Sequence, residues 1–446
     1  MCGIAEVMLN QGYKVSGSDV MESDNVARLR KLGAKINIGH SGENIDIANV
    51  VVVSSAIDSK NPELVRAQEM GIPVVPRAEM LSELMRKKNG IAVSGTHGKT
   101  TTTSMIASTL DFAGLSPTYV IGGRLLKNDK NASLGDSEYF VAEADESDAS
   151  FLLFHPVISV VTNIDNDHLA VYNNRMEDLV AAFQQFISDI PFYGCAVLCI
   201  EDQNIVDLLP KIHRRVLTYG FNPEATVYCK SMVQADVGVD MHVISHAYDI
   251  DAHINIQLHG RYNVLNALAS ICVALELGVD VNLIKSSLSA FSGISRRFNA
   301  YDINMQDDRA ITVIDDYGHH PTEVTSVLDT IADVYSGQRI VFVFEPHRYS
   351  RVKSLFDGFV ESLLKADYQL VLPVYAASET DTLGVSSSTI CDALRGLGAK
   401  DAHAVSDETS LFDVLDRVTE NNDVVLFMGA GSIGRIVKNF IDRAGI

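Results

Sequence analysis

The sequence predicts an α/β protein in three parts. The first opens on half of a nucleotide-binding βαβ unit, the central one is built on a phosphate-binding loop, and the third again alternates strand and helix. Three observations carry this. Apolar strands alternate with helical patterns along most of the chain. A length of 446 residues allows about three domains of roughly 150 residues each. Hydrophobic residues make up 47% of the chain, enough for several cores and too many for a disordered one. The expected parts are 1–88, 89–294 and 295–446. The first break falls at the polar run Met85–Gly90 and the second in the charged stretch Ser292–Tyr301.

The opening stretch has small and apolar residues at helical spacing from Ile4 to Leu9, then Gly12 as a stop. Tyr13-Lys14-Val15 then reads as a strand running into Ser16-Gly17-Ser18-Asp19. Helix, glycine, strand and terminal acid form the second half of a nucleotide-binding βαβ unit. The first half, a strand and glycine-rich turn, does not precede it. The expectation is a start set at an internal methionine, with weakened binding at this part. "NVVVVSSAI" (Asn49–Ile57) reads as a fully buried strand.

"IAVSGTHGKTTTTSMIASTL" is the most informative stretch. A β-branched strand enters a turn containing Gly95 and Gly98, followed by Lys99, Thr100 and a long helical pattern. Glycines let backbone N–H groups approach phosphates, a lysine neutralises their charge, and a threonine hydroxyl can ligate a divalent cation. The loop is shorter than the usual one, because Val93 stands where the first glycine would be. "VAEADESDASF" ends an apolar strand with Glu143, Asp145, Glu146 and Asp148, which repel one another unless a cation or solvent sits among them. "VVTNIDNDHL" ends another strand with Asp165, Asp167 and His168. Strand ends of an open α/β sheet gather beside such a loop.

In the third part, "IDDYGHHPTEV" and "FVFEPHRYSR" each follow an apolar strand. Arg348 and Arg351, three apart at a helix start, are expected to share one face and hold a carboxylate. A metal site from His319 and His320 is rejected, since adjacent histidines usually point different ways. "DVVLFMGAGSIGRI" carries a Gly429-x-Gly431-x-x-Gly434 fingerprint, which alone would indicate NAD and an oxidoreductase. The following strand with its acid has no room before Ile446, so the glycines are assigned to tight packing of the last helix.

The formal charge of −21 disfavours nucleic acid and anionic membranes as partners. No apolar run reaches the ~20 residues of a membrane span, and the start carries no signal peptide, so the expected location is cytoplasmic. Six cysteines (Cys2, Cys195, Cys199, Cys229, Cys272, Cys391) lie without CxxC pairing and read as buried free thiols.

GTHGKTT, EADESDASF, TNIDNDH, DDYGHHPTE and PHRYSR, in this order over essentially the whole chain, resemble the Mur ligases. The resemblance implies a Rossmann-like UDP-substrate domain, incomplete here at its N-terminus, a central P-loop ATPase domain and a Rossmann-like C-terminal amino-acid domain. It implies ATP and Mg²⁺ as cofactors, UDP-N-acetylmuramate and L-alanine as substrates, and a monomer or homodimer. Under it, Gly95, Thr96, His97, Gly98, Lys99, Thr100 and Thr101 bind the phosphates, and Asn263 and Asn266 lie beside the adenine. Thr100, Glu143 and His168 serve the metal, with Asn163 and Asp167 behind them. Arg296 or Arg297 reaches the phosphates. Tyr317, His347, Arg348 and Arg351 surround the amino acid, and Asp19, Ser54 and Ser55 face the UDP-sugar. Tyr262 stands where the family has a histidine, so a different stacking contact is expected there. A sister branch that joins a tripeptide to the same sugar carries a tyrosine where this chain has Ser147. A non-enzymatic nucleotide binder is the remaining alternative.

Overall fold

A computed structural model describes residues 1–54, 56–126, 131–235, 237–305, 309–377, 379–381 and 384–443. They form two compact units. One comprises Met1–Met232, Asp240–Gln257 and Asn263–Ser292, the other Val233–Val239, Leu258–Tyr262 and Gly293–Ile446.

In the first unit, the opening helix is Cys2–Asn10. Strand Ser16–Asp19 pairs in parallel with Lys35–Ile38. Val15 already accepts a bond from the Lys35 amide at 3.1 Å, so the strand enters where Tyr13–Val15 predicts, but its paired residues come later. A second parallel pair joins Val51–Val53 to Val74–Pro76. The valine run is half-buried rather than fully buried as expected. Among the described residues its sheet has two strands, too small to receive the cover on both faces that buries a central parallel strand. Residues 1–88 are tied to the central sheet by polar contacts. Arg28 donates to Asn131 Oδ1 at 2.9 Å, Arg124 to Asn25 Oδ1 at 2.9 Å, and Ser82 to the Leu153 carbonyl at 2.6 Å. Lys88, in the expected break, is anchored on Thr118 Oγ1 and the carbonyls of Gly135 and Ser137.

The large sheet of this unit has ten strands. Asn89–Ser94 is an interior strand, parallel to Tyr139–Glu143 on one side and Ile158–Val161 on the other. Phe140, Val141, Ala142, Val160 and Val161 are wholly buried, as both faces of a parallel sheet require. The pairing sets Val93 opposite Glu143 and Ser94 opposite Val161. Three strand ends therefore open at one point, where helix Lys99–Phe112 begins. Cys195–Cys199 is a buried strand of the same sheet, and all six cysteines are free thiols, five of them buried as expected and Cys2, near the chain start, only half-buried.

The second unit holds a six-stranded sheet in the order Asn299–Asn304, Ala310–Asp316, Val424–Met428, Ile340–Phe344, Tyr368–Val371, Ala402–Ala404. Asn299–Asn304 runs antiparallel and the others are parallel. Side chains of a strand alternate between faces, and this sheet has a core on each. Ile340, Phe342 and Phe344 enter one, while Val341 and Val343 enter the other. Among the described residues no helix is long and apolar enough to cross a membrane.

Candidate active site

The phosphate loop is assembled by local geometry. Strand Asn89–Ser94 ends, four residues turn, and the helix starts at Lys99 with Gly98 as its cap. Gly98 has φ +81°, and a side chain there would fall 2.6 Å from Asn266 Oδ1. Glycine is required by both backbone and neighbour. Asn266 in turn accepts from Thr102 Oγ1 at 3.0 Å and donates to Asn263 Oδ1 at 3.2 Å. The two asparagines are one helical turn apart on Arg261–Glu276, and both are buried. The threonine run is accommodated because Thr103 and Ser104 donate back to the carbonyls of Lys99 and Thr100. Thr101 is buried beside them.

The neighbouring strand end clamps the loop. Asn163 accepts from the His97 amide at 2.8 Å and donates to the His97 carbonyl at 3.0 Å. The His97 ring lies 3.0 Å from Asp165, and the Thr96 hydroxyl binds the Asp165 amide. His168 sits three residues on, at positive φ, with its ring 3.3 Å from Asp167.

The acids of the other strand end are separated by their partners. Glu143 accepts from the Thr100 hydroxyl at 3.0 Å on both oxygens and from the Gly122 amide at 2.9 Å. Asp145 accepts from the Ser147 amide. Burial would raise its carboxyl, but Lys99 and the Ser147 bonds hold it below the ordinary range. Glu146 is 2% exposed and receives Lys99 on both oxygens, at 3.0 and 2.7 Å. The cation expected among these acids is thus supplied by Lys99. Burial pushes Glu146 up to about 7 despite Lys99. Lys99 is also buried, yet Glu146, Asp145 and Glu143 together keep it above its usual value. Sequence reading did not pick Glu146 from its neighbours, because its turn after the strand carries no periodic signal.

In the second unit, the carboxyl ends of adjacent strands bring Tyr317, His347 and Gly429 to the same edge of the sheet. Arg296 binds Asp315 at 3.2 Å and the Gly429 carbonyl at 2.7 Å, while Arg297 lies 3.9 Å from Glu323. Both guanidiniums stand 5.3 Å from the Tyr317 ring centre. The His347 ring stacks on Tyr375 and approaches His319. Buried Arg351 reaches His347 Nδ1 at 3.3 Å.

Arg348 does not share that face. The helix begins only at Tyr349, leaving Arg348 outside it at φ +66° and exposed. The i,i+3 relation therefore fails; against burial, the Ser350 bonds hold Glu379 low, with the Arg348 charge adding to them. The adjacent histidines also diverge: His319 faces the Tyr317 carbonyl, and His320 caps helix Pro321–Val334. Burial, with Arg351 and His347 nearby, pushes His319 down to about 3. An unfolded histidine titrates near 6.5, so the unfolded state binds more protons between these values. Stability is expected to fall as pH drops from about 6.5 towards 3. His319→Gln should flatten that acid limb in urea midpoints measured against pH. An unchanged limb would refute the assignment.

The glycine fingerprint has a structural explanation. Glu345, 3% exposed, accepts from the Ile433 amide at 3.0 Å and from the Ser432 hydroxyl. A side chain at Gly431 would fall 2.6 Å from that carboxylate. The start of helix Ile433–Arg443, where a dinucleotide would place its phosphates, is filled by the protein's own carboxylate. This agrees with a packing role for the glycines.

Family models match nearly the whole chain: "Mur ligase family, catalytic domain" over residues 1–89, "Mur ligase middle domain" over 93–274, and "Mur ligase, glutamate ligase domain" over 296–431. A UDP-N-acetylmuramate–L-alanine ligase of Legionella pneumophila is 48% identical over 441 residues, covering 99% of this chain and 94% of that protein. One from Hydrogenovibrio crunogenus is 45% identical over 445 residues, covering 100% and 96%. Among solved structures, a UDP-N-acetylmuramate–alanine ligase from Thermotoga maritima superposes with a TM-score of 0.83 at 31% identity, covering 99% of this chain and 96% of that one. On sequence over its full length and on fold, the chain belongs to the Mur ligase family.

Proposed function

We propose that the chain joins the amine of L-alanine to the carboxylate of UDP-N-acetylmuramate at the expense of ATP, in the cytoplasmic stage of peptidoglycan synthesis. The observation that carries this reading is the phosphate loop, with Lys99 at its tip and the Thr100–Glu143 pair at 3.0 Å beside it. The names of the full-length relatives supply the substrates. We assign three functional parts, 1–88, 89–294 and 295–446, and the family matches support these bounds.

The γ-phosphoryl group of ATP passes to the muramic-acid carboxylate, giving an acyl phosphate. The alanine amine attacks its carbonyl, and the tetrahedral intermediate collapses to amide and phosphate. Transfer between two anions is opposed by charge, so the protein must supply cations and fixed donors. Lys99 neutralises the β- and γ-phosphates, and the loop amides of Gly95–Thr101 cradle them. Asn263 and Asn266 flank the base. Arg296 and Arg297 are assigned to the phosphates.

The Thr100 hydroxyl and Glu143 carboxylate form an all-oxygen donor set, which suits a hard divalent cation. With His168 they are assigned to hold Mg²⁺, which when bound neutralises charge on the phosphates. Tyr317, His347, Arg348 and Arg351 are assigned to L-alanine. Asp19, at the end of its strand, and Ser54, after Val51–Val53, are assigned to the UDP-sugar. Ser55 lies outside the described residues.

Phosphate release is expected only when ATP, Mg²⁺, UDP-N-acetylmuramate and L-alanine are all present, with amide product seen by mass spectrometry. Turnover with a tripeptide but not with L-alanine would move the chain to the recycling branch. No turnover with the full set would remove the ligase reading.

A further inference from the structure

Glu146 has no part in the chemistry assigned above, yet it is the most deeply buried acid of the site. The Lys99 ammonium has three protons and meets four oxygens: the carbonyls of Gly95 at 2.7 Å and Thr96 at 3.1 Å, and both oxygens of Glu146. Its donors are fully used within the protein. The lysine is folded back over its own loop, with Glu146 in the role that a phosphate would fill.

The turn that carries Glu146 is itself fixed. Tyr172 donates its hydroxyl to the Glu146 carbonyl at 2.5 Å, and the Ala149 amide donates to the same carbonyl at 3.0 Å. The backbone of Glu146 is therefore held, and Lys99 can leave only beyond the reach of its side chain. A nucleotide that uses Lys99 must compete with a carboxylate held in place.

We propose that Glu146 is a positioning residue that stores Lys99 in the nucleotide-free protein, and that nucleotide binding takes Lys99 from it while the Glu146 carboxylate takes up one proton from solvent. The inference rests on the nucleotide site of the ligase reading. The groups facing Glu146 agree with it. Lys99 is its cation, Asp145 adds like charge, and the Tyr172 hydroxyl is committed to the backbone carbonyl. Once Lys99 engages phosphate, burial and Asp145 remain, and both favour the protonated acid. Burial already pushes Glu146 up to about 7 with Lys99 in contact. Stored lysine also lowers apparent nucleotide affinity by the fraction held.

The test is calorimetric titration of the full chain with Mg·ATP at pH 8, without the other substrates, in HEPES, Tricine and Tris. At this pH the resting carboxylate is mostly ionised, and so is the nucleotide. Binding enthalpy plotted against buffer ionisation enthalpy is expected to show uptake of about 0.5–1 proton. Glu146→Gln should abolish the slope and tighten binding by about tenfold. Glu146→Asp, with a shorter reach, should hold Lys99 less firmly, and so tighten binding while reducing the uptake in proportion. Parent binding with no proton uptake overturns this proposal and leaves the ligase reading intact. So does a slope that survives in Glu146→Gln, or weaker binding by that variant. No Mg·ATP binding by the parent overturns both.

Discussion

Lys99→Ala is expected to cut amide formation by at least about 1,000-fold. The lysine is the cation nearest the loop, held by two loop carbonyls and by Glu146, and its charge is secured by the surrounding acids. Alanine removes the charge that offsets the meeting of phosphate and carboxylate. The variant also leaves Glu146 buried without its counter-ion. That acid should then stay protonated at neutral pH, which limits the stability cost. Product formation is to be followed by mass spectrometry, with thermal melting as the control for folding. A folded variant that makes product at the parent rate would falsify the role of this loop.

The phosphate loop was legible because its signal is local. Strand, glycines, lysine, threonine and helix follow one another within twenty residues, and each step constrains the next. The Thr100–Glu143 pair was legible for a related reason. Both residues end buried strands or begin the helix after one, and parallel sheets bring such ends together. Contacts set by side-chain reach across the fold were not legible. Lys99 and Glu146 are 47 residues apart, and four acids in one loop offered no rule for choosing among them. Glu345 and Ser432 are 87 residues apart, so the glycines could be assigned to packing of the last helix without showing the carboxylate they make room for. Burial was misread at Cys2 and at Val51–Val53. An apolar run reports what could be covered, whereas the two-stranded sheet determines what is.

The arginines of the third part separate in the same way, and their separation predicts unequal roles. Arg351 is buried and aimed at His347, whose ring is fixed by stacking on Tyr375. A guanidinium held against such a frame is pre-set for a carboxylate. Arg348 lies outside the helix, exposed, with its charge on the side of Glu379. If L-alanine is held here through its carboxylate, Arg351→Ala should raise the KM for L-alanine by about 100-fold, on the order of 3 kcal/mol. Arg351→Lys should recover only part of the loss, since a point charge replaces a fork. Arg348→Ala should change KM by no more than about fivefold, as exposed ion partners contribute little. Steady-state kinetics at saturating ATP and UDP-N-acetylmuramate separates the two positions, with urea unfolding to confirm that each variant is native. Equal effects at the two positions would mean that the arginines act as one clamp on a shared helix face. The start of the helix at Tyr349 and the positive φ of Arg348 argue against that arrangement.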